Sequence, residues 1–572
     1  MKRILRYLKP QAFKMILGLF IKFTGTIMDL LIPWILAYMI DHIVPQKNVS
    51  LIVFWGSMMV VCAVIALWGN VSANRMASRV AQVTTEQIRH DLFTKVSYLS
   101  CRQVDHFTVP SLISRLSSDT YNIHQMLGML QRLGVRAPIL LLGGVIVTLT
   151  LEPVLTLVLL CVLPLMALVV WLVSKRGVPL YTKLQQSVDH MVRTVRENIT
   201  GIRIIKALSK TDYEKRRFDT VNAEVVQSEK KAGINMALSN PAMNLFLNVG
   251  LTFVILVGAF RVNAGLSQPG KIIAFMTYFT IILNALLSIN RIFVLCSKGS
   301  ASANRIREVL DAPEDFSVLP PDHQDTPYHI LFDQVSFSYQ ENGSRNLTDI
   351  SFGVKRGEVL GIIGPTGCGK TTLIQLLMRF YDADKGTIRI GGEDIRSIPA
   401  AELHTKFGVA FQNDFLLSDT IRENIDFGRD LLDEEIEEGS ILAQAADFIY
   451  KLPDRFDHHL TAKGTNLSGG QKQRLLISRA LASKPEILIL DDSSSALDYK
   501  TDAQLRRAIH KNLHGTTTVI IAQRASSIQH ADHILVLDQG KTVGYGTHEE
   551  LLQSCQDYQL IYQSQMGEGN QE

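Results

Sequence analysis

Six apolar stretches, arranged as three pairs, constrain this chain more than any other feature. They cover residues 13–40 and 51–68, 138–151 and 154–173, and 243–260 and 272–294. Each approaches the roughly 20 residues that a helix needs to cross the hydrocarbon core of a bilayer. Within each pair the connector is short, at residues 41–50, 150–153 and 261–270. Between pairs lie two polar stretches, at residues 70–132 and 174–240, rich in charge and poor in helix breakers. Helical spacing persists through them, as in Val80, Val83, Ile88, Leu92 and Val96, which predicts membrane helices continuing far into water.

Charge sets the orientation. The long stretches hold Lys175, Arg176, Lys183, Arg193, Arg196 and Arg203, and the N-terminus holds Lys2, Arg3, Arg6 and Lys9. The short connectors carry few basic residues, so the long loops and both termini are expected on the cytoplasmic side. No small-residue cleavage site follows the first apolar stretch, so no removable signal peptide is expected. The six cysteines show no spacing that suggests disulfides or zinc, and a net charge of +4 gives no case for nucleic acid.

After residue 294 the composition changes. A charged helical segment at 302–310 leads into a linker at 311–328 that contains Pro313, Pro320, Pro321 and Pro327. From 329 onward, strand-like runs at 359–363, 487–490, 518–522 and 533–537 alternate with helical ones, predicting an α/β domain with a largely parallel core sheet. The expected division is a six-helix membrane domain at 1–310, the linker at 311–328, and the α/β domain at 329–572.

Gly364-Pro-Thr-Gly-Cys-Gly-Lys370-Thr371 fits the phosphate-binding loop pattern in full, between an apolar strand and a helical run at 372–380. Its glycines let successive N–H groups face phosphate oxygens, and the helix N-terminus adds a favourable dipole. Gly364, Thr366, Gly367, Cys368, Gly369, Lys370, Thr371 and Thr372 are the expected nucleotide contacts, with Lys370 on the β- and γ-phosphates and the Thr371 hydroxyl on Mg²⁺. Ile487-Leu-Ile-Leu-Asp491-Asp492 is an apolar strand ending in two acids, and Asp491 is placed to support the metal.

With Leu467-Ser468-Gly469-Gly470-Gln471 following the phosphate loop and preceding the acid strand, the whole chain resembles the ATP-binding cassette transporters. Six membrane helices ahead of one cassette resemble the exporter half-transporters, a multi-pass protein of the cell membrane, with the bacterial cytoplasmic membrane favoured. The resemblance implies a second half-transporter chain as partner, and two ATP molecules held between phosphate loop and signature across the pair. It further implies that Tyr339 stacks on adenine and that Gln412 senses Mg²⁺ and the attacking water. Ser495 and Asp498 would communicate between cassettes. Residues 197–206 resemble the second cytoplasmic loop, with a docking helix near 209–216 and a counterpart near 110–115 in the first loop.

Three positions depart from the family pattern. Asp492 stands where active cassettes carry the general-base glutamate, Gln523 where they carry the switch histidine, and Ala462 where exporters carry a glutamate before the signature. The implied arrangement is a heterodimer, with a homodimer as the alternative. In it this chain's own site binds ATP but turns over slowly, while its intact signature completes the partner's site. Asp29 and Lys22 lie within the first apolar stretch, and Asp29 is a candidate substrate-path residue because intramembrane charges are costly and tend to line cavities. The expected substrate is an amphipathic, drug-like compound with a cationic one in mind. A lipid flippase, a peptide exporter and a regulatory ATP-binding subunit remain open alternatives.

Overall fold

The structure is a computed structural model and describes residues 2–313, 316–339, 345–412, 415–493 and 497–566. It falls into two compact units: Met1–Ser97 with Pro110–Ala312, and Tyr98–Val109 with Pro313–Glu572.

The first unit is entirely helical among the described residues. Six spans are long and apolar enough to cross a membrane: Arg6–Gln46, Val49–Ser97, Val109–Leu151, Pro153–Thr200, Pro241–Asn263 and Pro269–Leu310. At 1.5 Å per residue the two longest, Val49–Ser97 and Pro153–Thr200, cover about 70 Å, more than twice a ~30 Å hydrocarbon core. The polar stretches are therefore helical extensions rather than loops, and the charged segment expected at 302–310 is the end of the continuous helix Pro269–Leu310. The helix Pro153–Thr200 continues through Pro164 and Pro179.

Small residues set how closely these helices approach. At Gly25 and Gly69 a Cβ would meet the facing backbone at about 3.3 Å, a spacing that only the smallest residues allow. The apolar core of this unit gathers Leu155, Leu159, Met166, Val254, Phe275, Tyr278 and Phe279, all fully buried. Tyr278 keeps its hydroxyl satisfied by donating to the Leu30 carbonyl. Towards the cytoplasmic end, buried Asp119 accepts from the Ser302 hydroxyl at 2.8 Å and pairs with Arg305. Arg115 pairs at 3.2 Å with Glu308, which follows Ser302 and Arg305 on the helix Pro269–Leu310.

The second unit holds two sheets. One is antiparallel in the order β2-β1-β4-β5, with β1 at Ile330–Phe337, β2 at Leu347–Val354, β4 at Lys385–Ile390 and β5 at Glu393–Asp394. The other runs β10-β9-β3-β8-β7-β6. It comprises β3 at Val359–Ile363, β6 at Phe407–Ala410, β7 at Ile487–Asp491, β8 at Thr517–Ile521, β9 at His533–Asp538 and β10 at Lys541–Gly546. Every pairing in it is parallel except that of β10 with β9. The core between the sheets is built from Phe332, Val335, Ile350, Leu360, Ile362, Leu373 and Ile489. A second, mostly helical core forms around Ile421, Ile436, Leu476 and Ile477. None of the six cysteines, all among the described residues, forms a disulfide.

The chain also supplies this unit with the short helix Cys101–Phe107, closed at its start by a Ser100–Gln103 capping box. Cys101 packs against the inter-sheet core, the Tyr381 hydroxyl donates to Asp105 Oδ2 at 2.5 Å, and Gln103 Nε2 donates to the Pro313 carbonyl at 3.0 Å. This corrects the expectation that 110–115 would be the docking piece of the first loop, because those residues belong to the membrane unit. In the second loop the short helix is Ile202–Ala207, and Thr211 already begins the long helix Thr211–Ala237, so the element expected at 209–216 lies about two turns earlier.

Candidate functional site

The site begins where β3 ends. The chain leaves the sheet through Gly364 at φ +156° and reaches the helix Lys370–Leu377 through Gly367 at +84° and Gly369 at +108°. These conformations exclude a Cβ: at Gly364 it would lie 2.0 Å from the Leu537 carbonyl oxygen, and at Gly369 2.6 Å from Leu347 Cδ2. The loop wraps a cavity of about 520 Å³ lined by Thr366, Gly367, Gly369, Lys370, Thr371, Thr372, Gln412 and Gln523, together with Arg345, Asn346, Gln539 and Gly540. Lys370 Nζ donates to the carbonyls of Gly364 at 2.7 Å and Pro365 at 2.9 Å, which curls its ammonium over the loop. Cys368 is buried, and burial pushes its thiol up while the neighbouring Lys370 charge pulls it down.

At the end of β7 the two acids take different settings. Asp491 is buried; burial, reinforced by the negative charge of Asp492 and opposed by Lys370, pushes its carboxyl up to about 6. Asp492 sits at φ +49°, a conformation that Asp tolerates better than most residues. Its Oδ2 accepts from Gln412 Nε2 at 3.1 Å and from Gln523 Nε2 at 2.8 Å. Burial raises the Asp492 carboxyl, while the Gln412 hydrogen bond and the charges of Lys370 and Arg524 hold it down. The segment carrying Gln523 is clasped by the C-terminal helix: Gln565 Nε2 donates to the Gln523 carbonyl at 2.8 Å, and Gln565 Oε1 accepts from the Ala525 N–H at 2.7 Å.

Tyr339 stands beside the loop helix, its hydroxyl donating to Gln375 Oε1 at 2.5 Å and Thr372 Oγ1 at 3.2 Å. Its ring meets Tyr381 edge-on, with centroids 5.1 Å apart. Burial raises its phenol. Ser468, Gly469, Gly470 and Gln471 do not line this cavity. They form the start of the helix Gly469–Ala482, where the Ser468 hydroxyl accepts from the Gln471 N–H at 3.3 Å and the Gln471 side chain returns the bond at 2.9 Å. Asp498 caps the helix Tyr499–Asn512, its carboxylate held low by the Thr501 N–H and hydroxyl. Ser495 lies outside the described residues.

The donors present fit a magnesium-bound nucleoside triphosphate. Positive-φ glycines give the loop the conformation that turns successive N–H groups towards a phosphate, and a buried carboxyl with a raised pKa is the setting that a divalent cation relieves. Thr371, Gln412 and Asp491 are the residues that could hold the metal.

In the membrane unit Asp29 is not a lone charge. Arg136 lies 3.0 Å from its Oδ2, and Asn70 Nδ2 donates to the same oxygen at 3.2 Å. Lys22 is buried and donates to Asn74 Oδ1 at 3.0 Å. Sequence reasoning missed Arg136 and Arg132, although basic residues four apart just ahead of an apolar stretch were a visible signal. Gln375, Tyr381, Asp105 and Gln565 carried none, because their partners are distant in the chain.

Comparison with known proteins agrees with both units. Residues 15–286 match the ABC transporter transmembrane region, and residues 347–495 match the ABC transporter ATP-binding family. The chain is 34% identical to the ABC transporter ATP-binding protein YfiB of Bacillus subtilis over 99% of each chain. It is 32% identical to YknU of the same organism, over 99% of this chain and 97% of that one. A solved structure described as a bacterial Atm1-family ABC exporter with ATP bound superposes with a TM-score of 0.82, at 23% identity and 99% coverage of both chains, so the fold is shared. The chain belongs to the ABC transporters, with one transmembrane region and one ATPase cassette. It is a multi-pass membrane protein whose cassette is cytoplasmic.

Proposed function

We propose that this chain is one half of an ATP-driven exporter of amphipathic compounds, working as a heterodimer in which its own ATP site is slow. The observation that carries the reading is the setting of Asp492: a short carboxylate with one oxygen engaged by both Gln412 and Gln523. A glutamate at this position would reach one methylene further towards an attacking water, and misplacement on the order of 1 Å can cost roughly 10²-fold in rate. Gln523 offers a hydrogen bond without a proton or charge to give.

The rest of the site favours tight binding. Lys370 and the loop N–H groups hold the phosphates, Thr371 and Asp491 the metal, and Tyr339 the base. Mg²⁺, when bound, neutralises negative charge on the phosphate oxygens. Ser468, Gly469 and Gly470 complete the partner's site, with the helix N-terminus adding its dipole. Exposed Ile202, Ile204, Leu208 and Tyr213 at the tip of the second loop support docking on a partner cassette.

The test is ATP hydrolysis by the chain purified alone in lipid, with its oligomeric mass determined on the same sample. Bound nucleotide with little turnover is expected. Turnover near the ~10 s⁻¹ typical of enzymes from a clean homodimer would overturn the slow-site and heterodimer reading.

A further inference from the structure

Three cations meet in the membrane unit with one acid among them. A cavity of about 230 Å³ is lined by Lys22, Asn74, Met129, Arg132, Leu133 and Arg136. Asp29 neutralises Arg136. No second carboxylate is at hand: the helix Ala12–Tyr38 contains Asp29 alone, and Thr120–Leu151 contains no acid. On the other two helices packed here the acids are Glu86, Asp91 and Glu308, all on the extensions beyond the apolar stretches.

Depth matters to the cost. Counting from the outer connectors at 1.5 Å per residue, Lys22 and Arg132 lie roughly 27 Å in and Arg136 roughly 21 Å in. That is the cytoplasmic-leaflet side of a ~30 Å core. Arg136 lies deepest, where a charge is costly and marks a functional position, with Asp29 as its one acid, while Lys22 and Arg132 lie near the cytoplasmic edge of the core, at the depth of a lipid-like headgroup.

Their donors are only partly used. Lys22 gives one hydrogen bond, to Asn74, and Arg132 Nε donates to the Gly128 carbonyl at 3.0 Å. Arg136 Nε is buried with no hydrogen-bond partner among the described residues. Met129 and Leu133 supply an apolar wall. Arg75 and Arg79, on the cytoplasmic side of Asn74, line a neighbouring recess that continues the positive surface. The volume is below the ~300 Å³ at which pockets usually begin to hold a whole drug-sized ligand, and suits a headgroup.

We infer that this cavity binds the anionic headgroup of an amphiphile, a phosphate, sulfonate or carboxylate, through Lys22, Arg132 and Arg136, with its apolar body along Met129 and Leu133. This rests on reading the membrane unit as a transport path, and it reverses the sign expected from Asp29 alone. That carboxylate offsets the charge of Arg136 and receives no substrate cation.

The probe is radiolabelled dodecyl phosphate, titrated onto the full-length chain in phosphatidylcholine nanodiscs. Saturable binding is expected, without competition from dodecyltrimethylammonium. The Lys22→Gln/Arg132→Gln variant is expected to weaken it at least tenfold, and Asp29→Asn to tighten it about threefold. ATP binding to the cassette, unchanged in each variant, shows that the protein is folded. Equal competition by the cationic amphiphile, or equal binding by the variants, overturns the inference.

Repeating the titration in phosphatidylglycerol nanodiscs separates two sources. Lost binding assigns the site to a lipid headgroup, retained binding to a free anionic amphiphile, and both support an anion site. ATP-driven transport of other amphiphiles without anion binding would remove the anion class alone. Anion binding without ATP-driven transport would remove the exporter reading alone.

Discussion

Gln523 Nε2 lies 2.8 Å from Asp492 Oδ2, so the residue in the switch position is spent on holding the residue in the base position. Gln412 donates to the same oxygen at 3.1 Å, and the carboxylate is fixed from two sides. A neutral amide can donate to this carboxylate but has no proton to deliver and no charge to offer.

On the slow-site proposal, replacing these two residues with the family's glutamate and histidine should speed hydrolysis here. The double substitution Asp492→Glu/Gln523→His is expected to raise single-turnover hydrolysis by roughly 10- to 100-fold, within the range that a misplaced group costs. An unchanged rate would count against the proposal that these two residues make the site slow.

Lys370 is predicted to matter for affinity more than for folding. Its ammonium is satisfied by two loop carbonyls, and these bonds must give way to phosphate oxygens. Lys370→Ala should weaken ATP binding at least tenfold by equilibrium dialysis, with the melting temperature nearly unchanged.

Asp491 predicts a pH dependence. Its carboxyl is lifted from 3.8 to about 6, chiefly by burial, so the nucleotide-free folded chain keeps a proton there that the unfolded chain releases. Stability contributed by this group falls as pH rises from about 4 to about 6, to a total of about 3 kcal/mol. Asp491→Asn should be the more stable chain at pH 7.5 and lose that advantage near pH 4. Melting curves of both proteins without nucleotide at the two pH values check this, and parallel curves would contradict it.

Tyr381→Phe removes the hydroxyl that donates to Asp105 at 2.5 Å. A hydrogen bond to a charged group contributes about 1.5–3 kcal/mol, nearer the lower figure here because Asp105 is partly exposed. Faster amide exchange across Cys101–Phe107 is the expected readout, and unchanged protection would show that Cys101 packing alone holds the helix.

What could be read in the chain was local. The loop from Gly364 to Thr371, the apolar strand ending at Asp491, and the six membrane helices declare themselves in contiguous residues. The four-stranded antiparallel sheet did not, because β1 and β4 pair across an intervening phosphate loop and helix. Asp29 looked like an isolated acid because its partner Arg136 is 107 residues away. The helix Cys101–Phe107 carries no motif; only its packing beside Tyr381 and Pro313, more than 200 residues further along, gives it meaning.

The assignment of Tyr98–Val109 to the cassette's unit means that engine and membrane machinery cannot be separated by one cut. A fragment beginning at 313 leaves the surface beside Tyr381 bare. A cassette exchanged between relatives arrives without the piece of loop it was shaped around. Modularity in this chain therefore runs through two crossings of the polypeptide, and a working chimera has to carry both together.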